Sequence, residues 1–68
     1  MSTVFQRRLR ELRGKRAQCV ASELAGLSHD AIGKYERGSA APNVESLAAL
    51  ADYFECSTGY LLGRTDTP

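Results

Sequence analysis

The apolar positions along this chain fall into short stripes separated by polar breaks. Over residues 3–13 (TVFQRRLRELR), Phe5, Leu9 and Leu12 recur at i, i+4 and i+7 among charged neighbours. That spacing predicts a helix with one buried stripe, stopped at Gly14. Residues 18–25 (QCVASELA) read as a second short helix with Val20, Ala21 and Leu24 on its inner face, broken by Gly26. Ser28 has the chemistry of an N-cap for a third helix, which runs to about Arg37 and stops at Gly38, a residue suited to a left-handed C-cap. After the loop SAAPN, Asn43 can cap a fourth helix, whose stripe is Val44, Leu47, Leu50, Ala51 and Phe54. Ser57 can cap a fifth over TGYLL, ending at Gly63. No run alternates apolar and polar residues as a half-buried strand would. The expected fold class is all-α, a compact cluster of five short helices.

The third helix, SHDAIGKYERG, carries only two sizeable apolar side chains, Ile32 and Tyr35. At about 100° per residue, setting His29 at zero puts Gly33 near ~40°, Asp30 near ~100° and Lys34 near ~140°, with Tyr35 near ~240° and Ile32 near ~300°. His29, Asp30, Gly33 and Lys34 therefore share the face opposite the apolar pair. No i,i+4 opposite-charge pair is expected within that face to stabilise it for its own sake. Gly33 inside a helix costs roughly 0.5–1 kcal/mol against Ala. By itself the face reads equally as solvated surface or as a reading surface. The preceding segment favours the second. A short helix, a Gly-containing turn and a second helix form a helix-turn-helix pattern, in which the second helix enters the DNA major groove. From His29 to Lys34 the helix rises about 7.5 Å, roughly two base steps of about 3.4 Å.

Composition narrows the classes. At 68 residues the chain is one small domain. Its net charge of +1 hides a gradient: residues 1–20 sum to +5, residues 21–40 to −1 and residues 41–68 to −3. A basic first third suits a polyanionic partner. No signal-peptide core and no apolar stretch near the ~18 residues of a membrane span is present, so no membrane association is expected and the cytoplasm is the expected location. Cys19 and Cys56 are then reduced thiols, and with His29 they make no usual metal-ligand spacing. No metal, cofactor or small-molecule ligand is expected. One His, no supported Ser/His/Asp or paired-carboxylate arrangement and no phosphate-cradling glycine loop argue against an enzyme. The aromatic platforms of single-strand RNA binders are missing.

The segment from Gln18 to Ser28, followed by Ile32 and KYERG at 34–38, resembles the Cro/phage-repressor helix-turn-helix family, also called XRE-type. PNVESLAALADYF resembles that family's fourth helix, and STGYLLGRTD its fifth helix and exit. The resemblance covers about residues 5–66. It implies a compact five-helix lambda-repressor-like DNA-binding domain over residues 1–63, with the helix-turn-helix at helices two and three (about 18–37), and a tail or start of a linker at 64–68. It implies a bacterial or phage-encoded, nucleoid-associated transcriptional regulator, a repressor of prophage, antitoxin or chromosomal type. Its implied partner is double-stranded operator DNA, bound as a homodimer.

Residue by residue, the resemblance implies base contacts by His29, Asp30, Gly33 and Lys34. It implies phosphate contacts by Gln18 and by Arg37, Ser39 and Asn43 around the following loop. Glu36 is implied to pair with Arg13 of the first helix. Three departures bear on these roles. The connection RGKRAQ is about two residues shorter than the commonest form, which makes Arg10 an alternative partner for Glu36. Ala21 stands where Leu is usual, leaving the inner face of the second helix under-filled. Ser-Ala-Ala at 39–41 replaces the common Lys or Arg, which shifts phosphate contacts toward Lys15 and Arg16. Chemically, Lys34 can donate to guanine O6 and N7, and Asp30 can accept from cytosine N4 while repelling phosphate. His29 can donate or accept, and Gly33 allows close approach to the groove floor or room for a thymine methyl. Together they favour a site with G·C pairs. A rival reading makes the chain a protein-interaction or dimerisation module, in which Tyr60, Leu61 and Leu62 dock a partner. The two readings can coexist if the last helix forms the dimer interface. Cys19 lies beside the implied phosphate contact, where oxidation would weaken binding, and Cys56 reads as core.

Overall fold

The stripe Phe5, Leu9 and Leu12 turns inward along α1 (Thr3–Arg13), and the other four helices gather around it: α2 (Gln18–Leu24), α3 (Ala31–Arg37), α4 (Val44–Phe54) and α5 (Thr58–Leu62). This computed structural model describes residues 3–68, and no strand occurs among them. The first two residues of the domain expected over 1–63 lie outside the described residues. α1 packs on α3 and α5, α2 packs on α3, and α4 packs on α5. Phe5, Leu9, Ile32, Leu50 and Leu61 are fully buried at the junction. Each such side chain contributes roughly 1.5–3 kcal/mol relative to exposure. The Phe5 and Tyr35 rings meet tilted, with centroids 6.4 Å apart. No helix among the described residues is long and apolar enough to cross a membrane.

Two helix starts follow the expected chemistry. Asn43 Oδ1 accepts from Ser46 N at 2.7 Å, and Ser57 Oγ accepts from Tyr60 N at 3.0 Å. The third start differs. α3 begins at Ala31 with Asp30 in the cap position and no side-chain cap bond. Ser28 contributes only its carbonyl, which accepts from Ala31 N at 3.0 Å. The cause lies in α2. The buried Ser22 Oγ accepts from Ile32 N at 3.0 Å, so one of the free amides opening α3 is satisfied from another helix.

Four apolar residues sit otherwise than expected. Val20 and Leu24 are 42% and 55% exposed, because α2 turns Ala21 and Ser22 to the core instead. Val44 is 84% exposed: it opens α4 a turn before Leu47, where contact with the core begins. Leu61, expected at a dimer surface, is wholly in the core. Arg8 is buried although charged. It donates to Tyr60 O at 2.5 Å, Thr65 O at 2.7 Å and Asp66 Oδ1 at 2.7 Å, and its guanidinium lies 4.1 Å over the Tyr60 ring. Residues 65 and 66, expected as part of a tail, are thereby held against α1.

Candidate nucleic-acid interface

The turn between α2 and α3 is built by one glycine and one serine. Gly26 takes φ +81°, a left-handed conformation that costs glycine little. It lets Leu27 N reach back to Ser22 O at 2.9 Å and close the end of α2. Ser22 Oγ then donates to Gln18 O at 2.8 Å while accepting from Ile32 N. One hydroxyl thus joins both helices of the motif with no polar group left over. Sequence reading missed this residue. The signal available was a serine inside a helix next to the inward Ala21, where an unbonded hydroxyl would be costly.

Glu36 fixes the same pair of helices to α1. Its carboxylate is buried and accepts two bonds from Arg13, Nε to Oε2 at 2.6 Å and Nη2 to Oε1 at 3.0 Å. Gln18 Nε2 donates to Oε1 at 3.0 Å, and Arg10 Nε stands 3.6 Å away. Both arginines considered for Glu36 are therefore present, with Arg13 making the close bidentate contact. Arg13 Nη1 also donates to Arg16 O at 2.8 Å, drawing the short connection onto the same guanidinium. Burial pushes the Glu36 carboxyl up, but the Arg13 and Gln18 bonds outweigh it and hold it below the ordinary Glu value. The bond to Glu36 raises Arg13 in turn.

Held this way, α3 and the turn before it present His29, Asp30, Lys34 and Arg37 to solvent. Lys34 Nζ lies 3.1 Å from Asp30 Oδ2, so the face does contain an i,i+4 ion pair, contrary to expectation. The hydrogen bond from Lys34 keeps the Asp30 carboxyl below the ordinary range. His29 Nδ1 is 3.7 Å from Glu23 Oε1 on α2. Gly33 differs most from its expected place. It is buried, and a Cβ there would stand 3.0 Å from Gln18 Oε1 and 3.2 Å from Arg37 Nη1. The missing side chain leaves room there for the ends of Gln18 and Arg37. Gln18, Cys19, His29, Asp30, Gly33 and Arg37 line a shallow cleft of about 170 Å³.

The residues expected at phosphates are variously engaged. Lys15 and Arg37 are exposed. Arg16 Nη1 donates to Tyr53 Oη at 3.0 Å and so reaches toward α4. Ser39 Oγ donates to Lys34 O at 3.3 Å. Asn43 uses its carbonyl oxygen for the α4 cap, leaving its amide nitrogen as a donor. Gln18 spends one amide N–H on Glu36 and keeps the other. Cys19 and Cys56 are both free, and burial pushes the Cys56 thiol up.

Two short helices joined at a glycine turn, locked to each other and leaving the second helix's polar edge open, define a helix-turn-helix protein. A family model described as helix-turn-helix matches residues 6–61, and the chain belongs to that family, the XRE type. It is 38% identical over 55 residues to Repressor protein C2 of Salmonella phage P22, covering 81% of this chain and 26% of that protein. It is 39% identical over 59 residues to the HTH-type transcriptional regulator AnsR of Bacillus subtilis, covering 84% and 51%. With the uncharacterized HTH-type transcriptional regulator YobD of Bacillus subtilis it shares 35% over 68 residues, covering 96% and 60%. The chain thus spans between about a quarter and three fifths of the length of these relatives. Among solved structures, the P22 c2 repressor in complex with synthetic operator 9T matches with a TM-score of 0.78 at 34% identity, covering 88% of this chain and 94% of that one. The solution structure of the DNA-binding domain of the same repressor gives 0.77 at 37% identity, covering 91% and 86%.

Proposed function

We propose that this chain is a sequence-specific double-stranded DNA-binding transcriptional regulator of repressor type, reading an operator with α3 in the major groove. The carrying observation is the open edge of His29, Asp30 and Lys34, presented by α3 and the turn before it, with the helix locked by Ser22 and Glu36 to α2 and α1. The likeness to the P22 c2 repressor, solved in complex with a synthetic operator, supports operator DNA as the partner. His29, Asp30 and Lys34 address base edges. Lys15, Arg37, Ser39, Asn43 and the second amide N–H of Gln18 address phosphates, joined by Arg16 once it leaves Tyr53. Gly33 serves them indirectly, by seating Gln18 and Arg37. A homodimer on a near-palindromic site is the natural arrangement for two such readers. With Leu61 in the core, the half-buried Tyr60 and Leu62 are what α5 has left to offer a partner. A regulator of this kind works on the DNA in the cytoplasm of a bacterial cell.

The test is selection from a random double-stranded DNA library, with the winner titrated across salt concentrations. The expected result is an inverted repeat, half-sites about one helical turn apart, and a steep salt slope. On that site Lys34→Ala costs about 1–3 kcal/mol of specific affinity, and Arg16→Ala reduces the salt slope by about one. Weak, wholly salt-driven binding with no enriched sequence would overturn the proposal.

A further inference from the structure

We infer that Asp30 and Lys34 read as one unit, a mutually neutralised pair that opens onto a single G·C base pair in each half-site and withholds Lys34 from phosphates elsewhere. This rests on the reading of α3 as the DNA-facing helix. The two heads are 3.1 Å apart and each side chain is about half exposed, so both are reachable while paired. The major-groove edge of a G·C pair sets two acceptors, guanine O6 and N7, beside one donor, the cytosine N4 amine. An ammonium beside a carboxylate opposes that edge group for group. An A·T pair places its adenine amine between two acceptors and adds the thymine methyl, so the ammonium finds no adjacent acceptor pair there.

Away from such a pair the arrangement works the other way. A phosphate attracts Lys34 but repels the carboxylate already bound to it, so taking Lys34 from Asp30 gains little. The surrounding charges leave this balance to the pair. Arg37 is the other cation on the exposed part of α3 and makes no ion pair among the described residues, while His29 stands toward Glu23 on α2. Non-specific attraction on this helix therefore falls to Arg37, and Lys34 is reserved for the sequence-dependent step. The competing account is that the pair is an ordinary helix-surface ion pair whose only effect is on helix stability.

Asp30→Asn separates the two accounts. It removes the charge, keeps the size and leaves a good helix-capping residue in place. Selection and salt titration are run on the whole chain and on the Asp30→Asn and Lys34→Ala variants, with thermal unfolding of each. The variant is expected to lose G·C preference at one position per half-site by about 5- to 150-fold, the discrimination of one good bidentate contact. Asn can read adenine at that position. On unrelated DNA its salt slope is expected to steepen by about 0.9, one freed cation. Lys34→Ala should lose preference at the same position. If Asp30→Asn selects the wild-type site with unchanged preference and slope, and only the unfolding temperature moves, the pair is structural and the inference fails while the operator-reading function stands. If the wild-type chain selects no site, both fail together.

Discussion

Glu55 ends α4 at φ +56°, and it is the one non-glycine residue among the described residues with positive φ. The conformation is needed so that Cys56 N can reach Ala51 O at 2.9 Å and close the helix. Gly38 and Gly63 do the same work for α3 and α5 with no Cβ to crowd the backbone. Glu55→Gly is expected to stabilise the fold by about 0.5–1 kcal/mol, the strain relieved less the extra freedom of the unfolded chain. Urea unfolding measures it directly, and a loss of stability would mean the Glu55 side chain contributes more than its backbone strain costs. The Asp30–Lys34 pair was open to reading at this scale, since it needs only a spacing of four. Gly33 was not. A helical wheel gives a residue's direction on its own helix but not which neighbour, here Gln18, crosses it.

At the scale of elements, the helices were legible because each boundary has local chemistry. Asn43 and Ser57 cap, Gly38 and Gly63 stop, and the stripes on α1 and α4 set which face turns inward. The start of α3 is not legible locally because Ser28 offers Ala31 N only its carbonyl, while the next amide, Ile32 N, donates to Ser22 Oγ, ten residues earlier in the chain. The inner face of α2 was misjudged for a related reason. A buried serine looks polar in sequence, yet with both its bonds made it packs as well as an alanine would, while Val20 and Leu24 turn out. Ser22→Ala tests this coupling. It leaves the buried Ile32 amide without a partner, which costs about 1–3 kcal/mol. Hydrogen exchange should show the loss concentrated in the first turn of α3 and at its junction with α2. A variant as stable as wild type would mean that water or Asp30 takes over the amide.

Across the whole molecule, Arg8 and Glu36 do what no stripe of apolar residues foretells. Each buries a charge and uses it to tie distant parts of the chain to α1: Arg8 the α5 end and residues 65 and 66, Glu36 the helix-turn-helix. The Glu36 network carries a pH dependence whose sign is fixed. Its folded carboxyl titrates below the ordinary value of 4.5, so near that pH the unfolded chain binds more protons than the folded one. The stabilisation is therefore complete above the unfolded value and is lost as pH falls through the folded value. Glu36→Gln removes the titrating group and two charged acceptors for Arg13, and is expected to lower stability at pH 7 by about 1.5–3 kcal/mol. Urea unfolding of both proteins, stepped downward from pH 7, should show the gap narrowing as acid discharges Glu36 in the wild type. Asp30 is held low as well, but it is present in both proteins and cancels from the difference. A gap that stays constant through the acid range would assign the acid sensitivity to other carboxylates and leave Glu36 a purely steric part of the lock.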